Sequence, residues 1–337
     1  MTVTRKHVAE YLDALAKPQA SMGHLEELAV QLAVAQQNLA PRTKPRRIVL
    51  FAGDHGVVES GVSAWPSTVT TAMMETILVE KATSTALASA QGADLRLVDV
   101  GTIQPPHAGS RTPAFQDARI AAGTGNLATG PAMTRAQFQT AWAVGETEAK
   151  YGHEEGFVLL IAGEMGIGNT TPAACLTMLL ADANVEIATG RGAGADDESL
   201  SNKRAIVAQA VERARIILAD DPVSAIAEVA GFEIAAMAGF YAQAAKQGST
   251  LLLDGYVTTA AALIAERLVP GTTKSMIAAH LSAEPGHRTA LNHLGLKPLL
   301  EWNMRLGEGT GALTALPLLD SAAALLNDVA KLSDIMP

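Results

Sequence analysis

With 337 residues, 48% of them hydrophobic and only 4% aromatic, the chain can bury a large core, and its composition is not that of a disordered protein and disfavours an all-β sandwich. A formal net charge of −9 argues against a broad nucleic-acid or anionic-membrane surface, and a single cysteine, Cys175, excludes a disulfide framework or thiolate metal cluster within one chain. The start, MTVTRKHVAEYLDALAKP, lacks the apolar centre of a signal peptide, and no run of about 18 apolar residues reads as a membrane span, so a soluble protein of the reducing cytoplasm is expected.

In chain order, the first ~40 residues read as helical, and PRTKPRR (41–47) reads as a linker. Five short apolar runs follow: RIVLFAG (47–53), DLRLVDVG (94–101), FVLLIAGEMG (157–166), TLLLDG (250–255) and SMIAAH (275–280). Each predicts a buried strand. Alanine-rich stretches such as VTTAMMETILVEKATSTALASAQ and SNKRAIVAQAVERARIILA predict helices between them. Continuous apolar strands alternating with helices imply an α/β fold of three layers, a mostly parallel sheet flanked by helices. Segment 102–135, rich in Gly, Pro and Thr, is too long for an ordinary connection and is expected to be a functional excursion. The last ~35 residues are again helical, so 1–40 plus 303–337 are expected to form a smaller helical domain beside a large domain, 41–302.

Ligands of such a sheet bind beyond the carboxyl ends of its strands. Asp54 and His55, Gly101, Glu164, Asp254 and His280 fall there, although each is also a possible helix cap, turn former or satisfied histidine. The segment LLIAGEMGIGNTTPAACLTMLL joins a strand to a helix through Gly163, Gly166 and Gly168, then Asn169 and Thr170. Glycines that turn backbone N–H groups toward a helix N-terminus outline a phosphate site, and a plain tight turn needs them equally. It is neither a Walker A loop nor a dinucleotide fingerprint. A second cluster, ATGRGAGADDESLSNK, brings Arg191 and Lys203 within reach of an anion. Its Asp-Asp-Glu run reads as a charged helix start rather than a metal site. Near the end, NMRLGEGTGALTALPLL places Glu308 between two glycines ahead of an apolar run, either as a helix-start acid or as a reactive carboxylate kept partly dry.

Together FAGDHGVVESGVSAWPSTVT, GEMGIGNTTPAA, GRGAGADDESL, GFEIAAMAGFY, LLLDGYVTTAAAL, HLSAEPGH and NMRLGEGTGALTALPLLDSAAALLNDVA resemble the nicotinate-nucleotide:dimethylbenzimidazole phosphoribosyltransferase family of cobalamin nucleotide-loop assembly. The segments occur in family order over nearly the whole chain. The resemblance implies attack of a benzimidazole nitrogen on C1′ of nicotinate mononucleotide, release of nicotinate, and an α-ribotide 5′-phosphate formed with inversion. It implies Glu308 as general base. It also implies a nucleotide site from Glu164, Gly166, Ile167, Gly168, Asn169 and Thr170, with Gly190, Gly192, Lys203 and Ser282 nearby. A base pocket would draw on Trp65, Met73, Met304 and Leu306, residue types as often found in plain core. No metal or cofactor is implied, and a homodimer is.

Departures are few: Ala20 and His24 stand where the family commonly has Gly and Arg, and no glutamine follows the Val-Thr of the base-pocket helix, at Thr71, Ala72 or Met73. The second leaves the choice of aromatic acceptor open. A nucleotide N-glycosyl hydrolase or phosphorylase, or a non-catalytic nucleotide-binding paralogue, would use the same phosphate cradle. A dinucleotide dehydrogenase is disfavoured by AGDHGV after the first strand.

Overall fold

The computed structural model describes residues 2–107, 112–192, 194 and 196–336. The expected strands are present as β1 (Arg46–Gly53), β2 (Asp94–Gly101), β4 (Leu159–Met165), β5 (Thr250–Leu253) and β6 (Met276–His280). Two more, β3 (Phe115–Asp117) and β7 (Pro298–Leu300), were not expected from periodicity, because three half-exposed residues carry too little pattern. They occupy the two edges, where the proline of β7 is tolerated.

All seven strands form one sheet in the order β3-β2-β1-β4-β5-β6-β7, with every neighbouring pair parallel. The chain winds outward one way from β1 to β3 and the other way from β4 to β7. The order therefore reverses between β1 and β4, the point at which parallel sheets open a ligand crevice.

Side-chain alternation divides the core into two layers. Val49, Phe51, Leu160, Ala162, Leu251 and Leu253 pack beneath helices Arg135–Glu154, Thr170–Ala181, Phe232–Lys246 and Tyr256–Leu268. Ile48, Leu50, Leu159, Ile161, Leu252 and Ile277 face helices Arg5–Asp13, His24–Ala35, Thr83–Gln91 and Thr310–Asp328. Both faces being covered explains why these strands read as unbroken apolar runs.

The chain termini meet on the second face. Leu15 bridges Lys331, Ala16 N–H donates to the Ala330 carbonyl at 2.8 Å, and Leu332 N–H to that of Ala14 at 2.9 Å. The linker expected at 41–47 ends earlier, since Arg46 and Arg47 already belong to β1 and are buried. Partners make that burial tolerable: Arg46 meets Asp320 at 2.8 Å and Arg47 meets Glu155 at 2.6 Å.

Two other segments take definite form. The helical stretch VTTAMMETILVEKATSTALASAQ forms two helices, Thr68–Leu78 and Thr83–Gln91, separated where Glu80 adopts φ +58°. The break creates a second helix N-terminus at Thr83. The excursion 102–135, of which 108–111 lie outside the described residues, carries β3 and then folds over the turn after β1. Asp54 accepts from Ile103 N–H at 2.9 Å and its carbonyl from Thr124 N–H at 3.0 Å. Its described residues support Asp54 and do not line the cleft over the start of helix Thr170–Ala181.

Candidate active site

Glu308 sits in a turn of three consecutive left-handed residues: Gly307 at φ +85°, Glu308 at +55° and Gly309 at +70°. Such a conformation costs a non-glycine residue about 1 kcal/mol or more, so the surroundings must impose it. They do so by contact. A methyl on Gly307 would come within 2.2 Å of Glu164 Oε1, and a Cβ on Gly163 within 2.8 Å of the Gly309 nitrogen. The turn thus lies directly against the end of β4.

Asp254, at the end of β5, anchors the turn from below by accepting from Gly309 N–H at 3.1 Å and Ala312 N–H at 3.0 Å. It caps helix Thr310–Asp328 from across the chain, since Gly309 has no side chain to do so. Glu308 itself is only 3% exposed, and Ser84 Oγ donates to its Oε2 at 2.9 Å. Burial, with Asp254 adding repulsion, pushes the Glu308 carboxyl above the usual range, while Ser84's hydroxyl and backbone N–H oppose the rise.

Beside it, Glu164 is buried at the end of β4 and accepts from Asn169 Nδ2. Burial, then the charges of Asp254 and Glu233, push its carboxyl well above the ordinary value, against the pull of Asn169. The glycine turn follows: Gly168 has φ +92°, Ile167 N–H donates to Thr70 Oγ1 at 3.1 Å, and Asn169 precedes helix Thr170–Ala181.

A cleft opens over this helix N-terminus. It is lined by Glu164, Ile167, Gly168, Asn169 and Thr170, together with Gly192, Ser282 and Leu306. Arg191 and Arg305 supply positive charge at its walls. Tyr256, His280 and Glu284 also line it, and neither Arg305 nor Glu284 was anticipated. Glu284 accepts from Gly192 N–H at 3.0 Å, fixing the second glycine turn.

Lys203 takes a different position from that expected. Its ammonium is buried behind the loop and donates to Thr170 Oγ1 at 2.7 Å and to the Gly190 carbonyl at 3.2 Å. Burial lowers its pKa to about 8, with Glu284 and then Cys175 opposing. Lys203 therefore acts on the cleft through Thr170, and Gly190 serves as its acceptor. Cys175 is no nucleophile, because burial pushes the thiol up to about 12.

A second buried network backs Ser282. His287 Nδ1 accepts from Ser282 N–H at 2.8 Å, so its proton rides on Nε2, which lies 2.9 Å from Thr259 Oγ1. Burial, with His280 and Arg288 nearby, lowers this imidazole to about 3 and keeps it neutral. Behind the glycine loop, His55 Nε2 lies 3.0 Å from Glu233 Oε1. Burial pulls that imidazole's pKa down, but Glu233 and Asp54 outweigh it and hold it above the ordinary value.

The residues expected around an aromatic base are less gathered. Trp65 is 51% exposed and Leu306 56%, with Ser63 and Ala64, rather than Trp65, lining the cleft. Met73 packs against the second core layer, and half-buried Met304 receives Ala283 N–H at its carbonyl at 3.0 Å. Glu308 lies just behind the cleft wall formed by Leu306 and Gly307. The Asp-Asp-Glu run is a helix start, with Asp196 accepting from Ser199 N–H at 2.9 Å.

The raised Glu164 carboxyl has a measurable consequence. A carboxyl whose folded pKa exceeds its unfolded one stabilises the protein fully below the ordinary carboxylate range, and this is lost as pH rises through the folded pKa. Thermal midpoints of the unliganded protein should therefore fall as pH rises above the ordinary carboxylate range, and Glu164→Gln should flatten that slope. An unchanged slope in circular-dichroism melts would contradict the assignment.

Known proteins resemble this chain over nearly its whole length. A family model described as "Phosphoribosyltransferase" matches residues 2–335. A Mycobacterium bovis BCG protein named nicotinate-nucleotide–dimethylbenzimidazole phosphoribosyltransferase is 45% identical over 323 residues, 96% of this chain and 88% of its own. A Thermus thermophilus protein of the same name is 42% identical over 318 residues, covering 94% of this chain and 93% of that one. The crystal structure of CobT from Thermus thermophilus matches with a TM-score of 0.94 at 40% identity, covering 98% of each chain. The chain belongs to the nicotinate-nucleotide:dimethylbenzimidazole phosphoribosyltransferase family.

Proposed function

We propose that this phosphoribosyltransferase moves the phosphoribosyl group of nicotinate mononucleotide to 5,6-dimethylbenzimidazole or a related aromatic base, with Glu308 as general base. One ring nitrogen of the acceptor forms the new bond to C1′, and the bond from C1′ to nicotinate breaks with its electron pair going to the pyridine nitrogen. The proton on the acceptor's other nitrogen passes to Glu308. Attack from the opposite face inverts the anomeric carbon and gives the α-ribotide 5′-phosphate. Because nicotinate leaves a pyridinium linkage with a neutral ring nitrogen, one carboxylate suffices where a glycoside hydrolase needs two.

The observation that carries the reading is Glu308 itself, a dry carboxylate held in a left-handed turn against Glu164. A base is most effective when its pKa lies near the working pH, and burial moves Glu308 in that direction. The substrate phosphate would rest on the Gly166 to Thr170 loop, where helix Thr170–Ala181 begins without a side-chain cap and presents the positive end of its dipole. Glu164 suits that neighbour because its raised pKa favours the uncharged carboxyl, which donates to an anion instead of repelling it. The acceptor would lie along Leu306 and Met304 toward Trp65 and Met73.

Segments 1–40 and 303–337 would act as a helical unit carrying Glu308 against the domain 41–302, a division supported by the bridge between Leu15 and Lys331. The reading also includes a symmetric homodimer in the cytoplasm. Exposed Leu306, which lines the cleft, and exposed Trp65, next to the cleft-lining Ala64, are compatible with a partner subunit there. Among the described residues, no helix is long and apolar enough to cross a membrane.

Nicotinate release from nicotinate mononucleotide should require the aromatic acceptor and yield one ribotide per nicotinate. Release at the same rate without acceptor would establish the hydrolase alternative, and phosphate-dependent release the phosphorylase one.

A further inference from the structure

We propose that Ser84 is a positioning residue for the transfer, its hydroxyl pinning Oε2 of Glu308 and so designating Oε1 as the oxygen that takes the acceptor's proton. The proposal rests on Glu308 being the base.

Ser84 is fully buried, and its Oγ donates to Glu308 Oε2 at 2.9 Å across 224 positions of chain. A hydroxyl removed from water is costly unless bonded, and this one spends its proton on a carboxylate. Ser84 is the second residue of helix Thr83–Gln91, which begins at the break after Glu80. That helix has Ala82 at its cap position, with no side-chain oxygen to meet the first N–H groups. Glu308 stands in for the missing cap, and Ser84's backbone N–H also favours its ionised form. The helix start and the Gly-Glu-Gly turn therefore hold one side chain between them.

A carboxylate presents two oxygens, and a base must aim one lone pair along the N–H bond it breaks. Rotation about the last side-chain bond would scatter that aim. A bond to Oε2 removes the freedom while leaving Oε1 to react. The bond also restrains basicity, because burial and Asp254 favour the protonated form and Ser84 favours the ion.

The test compares Ser84→Ala with Ser84→Cys, a near-isosteric replacement whose thiol is a weak donor. Turnover is followed against pH at saturating substrates, with nicotinate mononucleotide affinity measured by calorimetry. Both variants should move the acid limb of kcat to higher pH, lowering the rate on that limb about tenfold or more, with nucleotide affinity unchanged. A wild-type limb in both variants, or in Cys alone, would overturn the proposal, the latter because it makes Ser84 a packing residue. Glu308→Gln separates the two ideas. If its turnover survives, the base assignment and this proposal fall together; if it collapses while the Ser84 variants keep the wild-type limb, only the role of Ser84 is lost.

Discussion

Glu308→Gln should turn over about 10²- to 10⁴-fold more slowly than wild type, the usual worth of a general base, while binding nicotinate mononucleotide as before. The amide has nearly the same shape, and its oxygen can still accept from Ser84, so the turn should stay in place. What it lacks is an oxygen basic enough to take a proton. As the acceptor nitrogen bonds to C1′, the opposite N–H becomes acidic, and without a base a positive charge stays on the product ring. A general base must be ionised to work, and the Glu308 pKa is raised, so on the proposed role wild-type kcat should fall with decreasing pH above the ordinary carboxylate range. The residual rate of the glutamine variant should lack this limb. Steady-state nicotinate release across pH, with nucleotide affinity by calorimetry, checks both points. Wild-type kcat in the variant would remove Glu308 from the base role.

The second large effect is expected from Gly307→Ala. Its Cβ would approach Glu164 Oε1 to 2.2 Å, and its φ of +85° is one that side chains disfavour. The backbone penalty alone is about 1 kcal/mol, but the contact forces either Glu164 or the turn to move. Glu308 is the next residue, so displacement of this proposed base by even about 1 Å can cost roughly 10²-fold in rate. Gly295→Ala is the control, since Gly295 has φ +68° and open space where its Cβ would go. Both variants should melt at lower temperature, but only Gly307→Ala should lose turnover far beyond its loss of stability. Equal activity in the two variants would mean that the fit of the turn against Glu164 has no bearing on catalysis.

Much of the scaffold was legible because its signals are local. Apolar runs, four of them ended by glycine, marked five of the seven strands among the described residues, and the turn Gly166 to Thr170 opens helix Thr170–Ala181 at the carboxyl end of the sheet as its residues implied. Glu308 between two glycines could be singled out since a left-handed turn has a local signature. Asp196 opens its helix, as the charged run implied, for the same reason.

By itself, then, the sequence determined the α/β class, the family, the glycine turn that opens helix Thr170–Ala181 and the acid to watch, all carried by residues close together in the chain. Only the tertiary structure decided which distant groups act on that acid: Ser84 after a helix break, Asp254 beneath the turn, and Glu164 against Gly307. It also decided that Lys203 stands behind Thr170 rather than in the cleft. Contacts between residues far apart in the chain depend on how the layers pack and on which backbone groups each helix end leaves unpaired. No local pattern of glycines, charges or apolar residues encodes either.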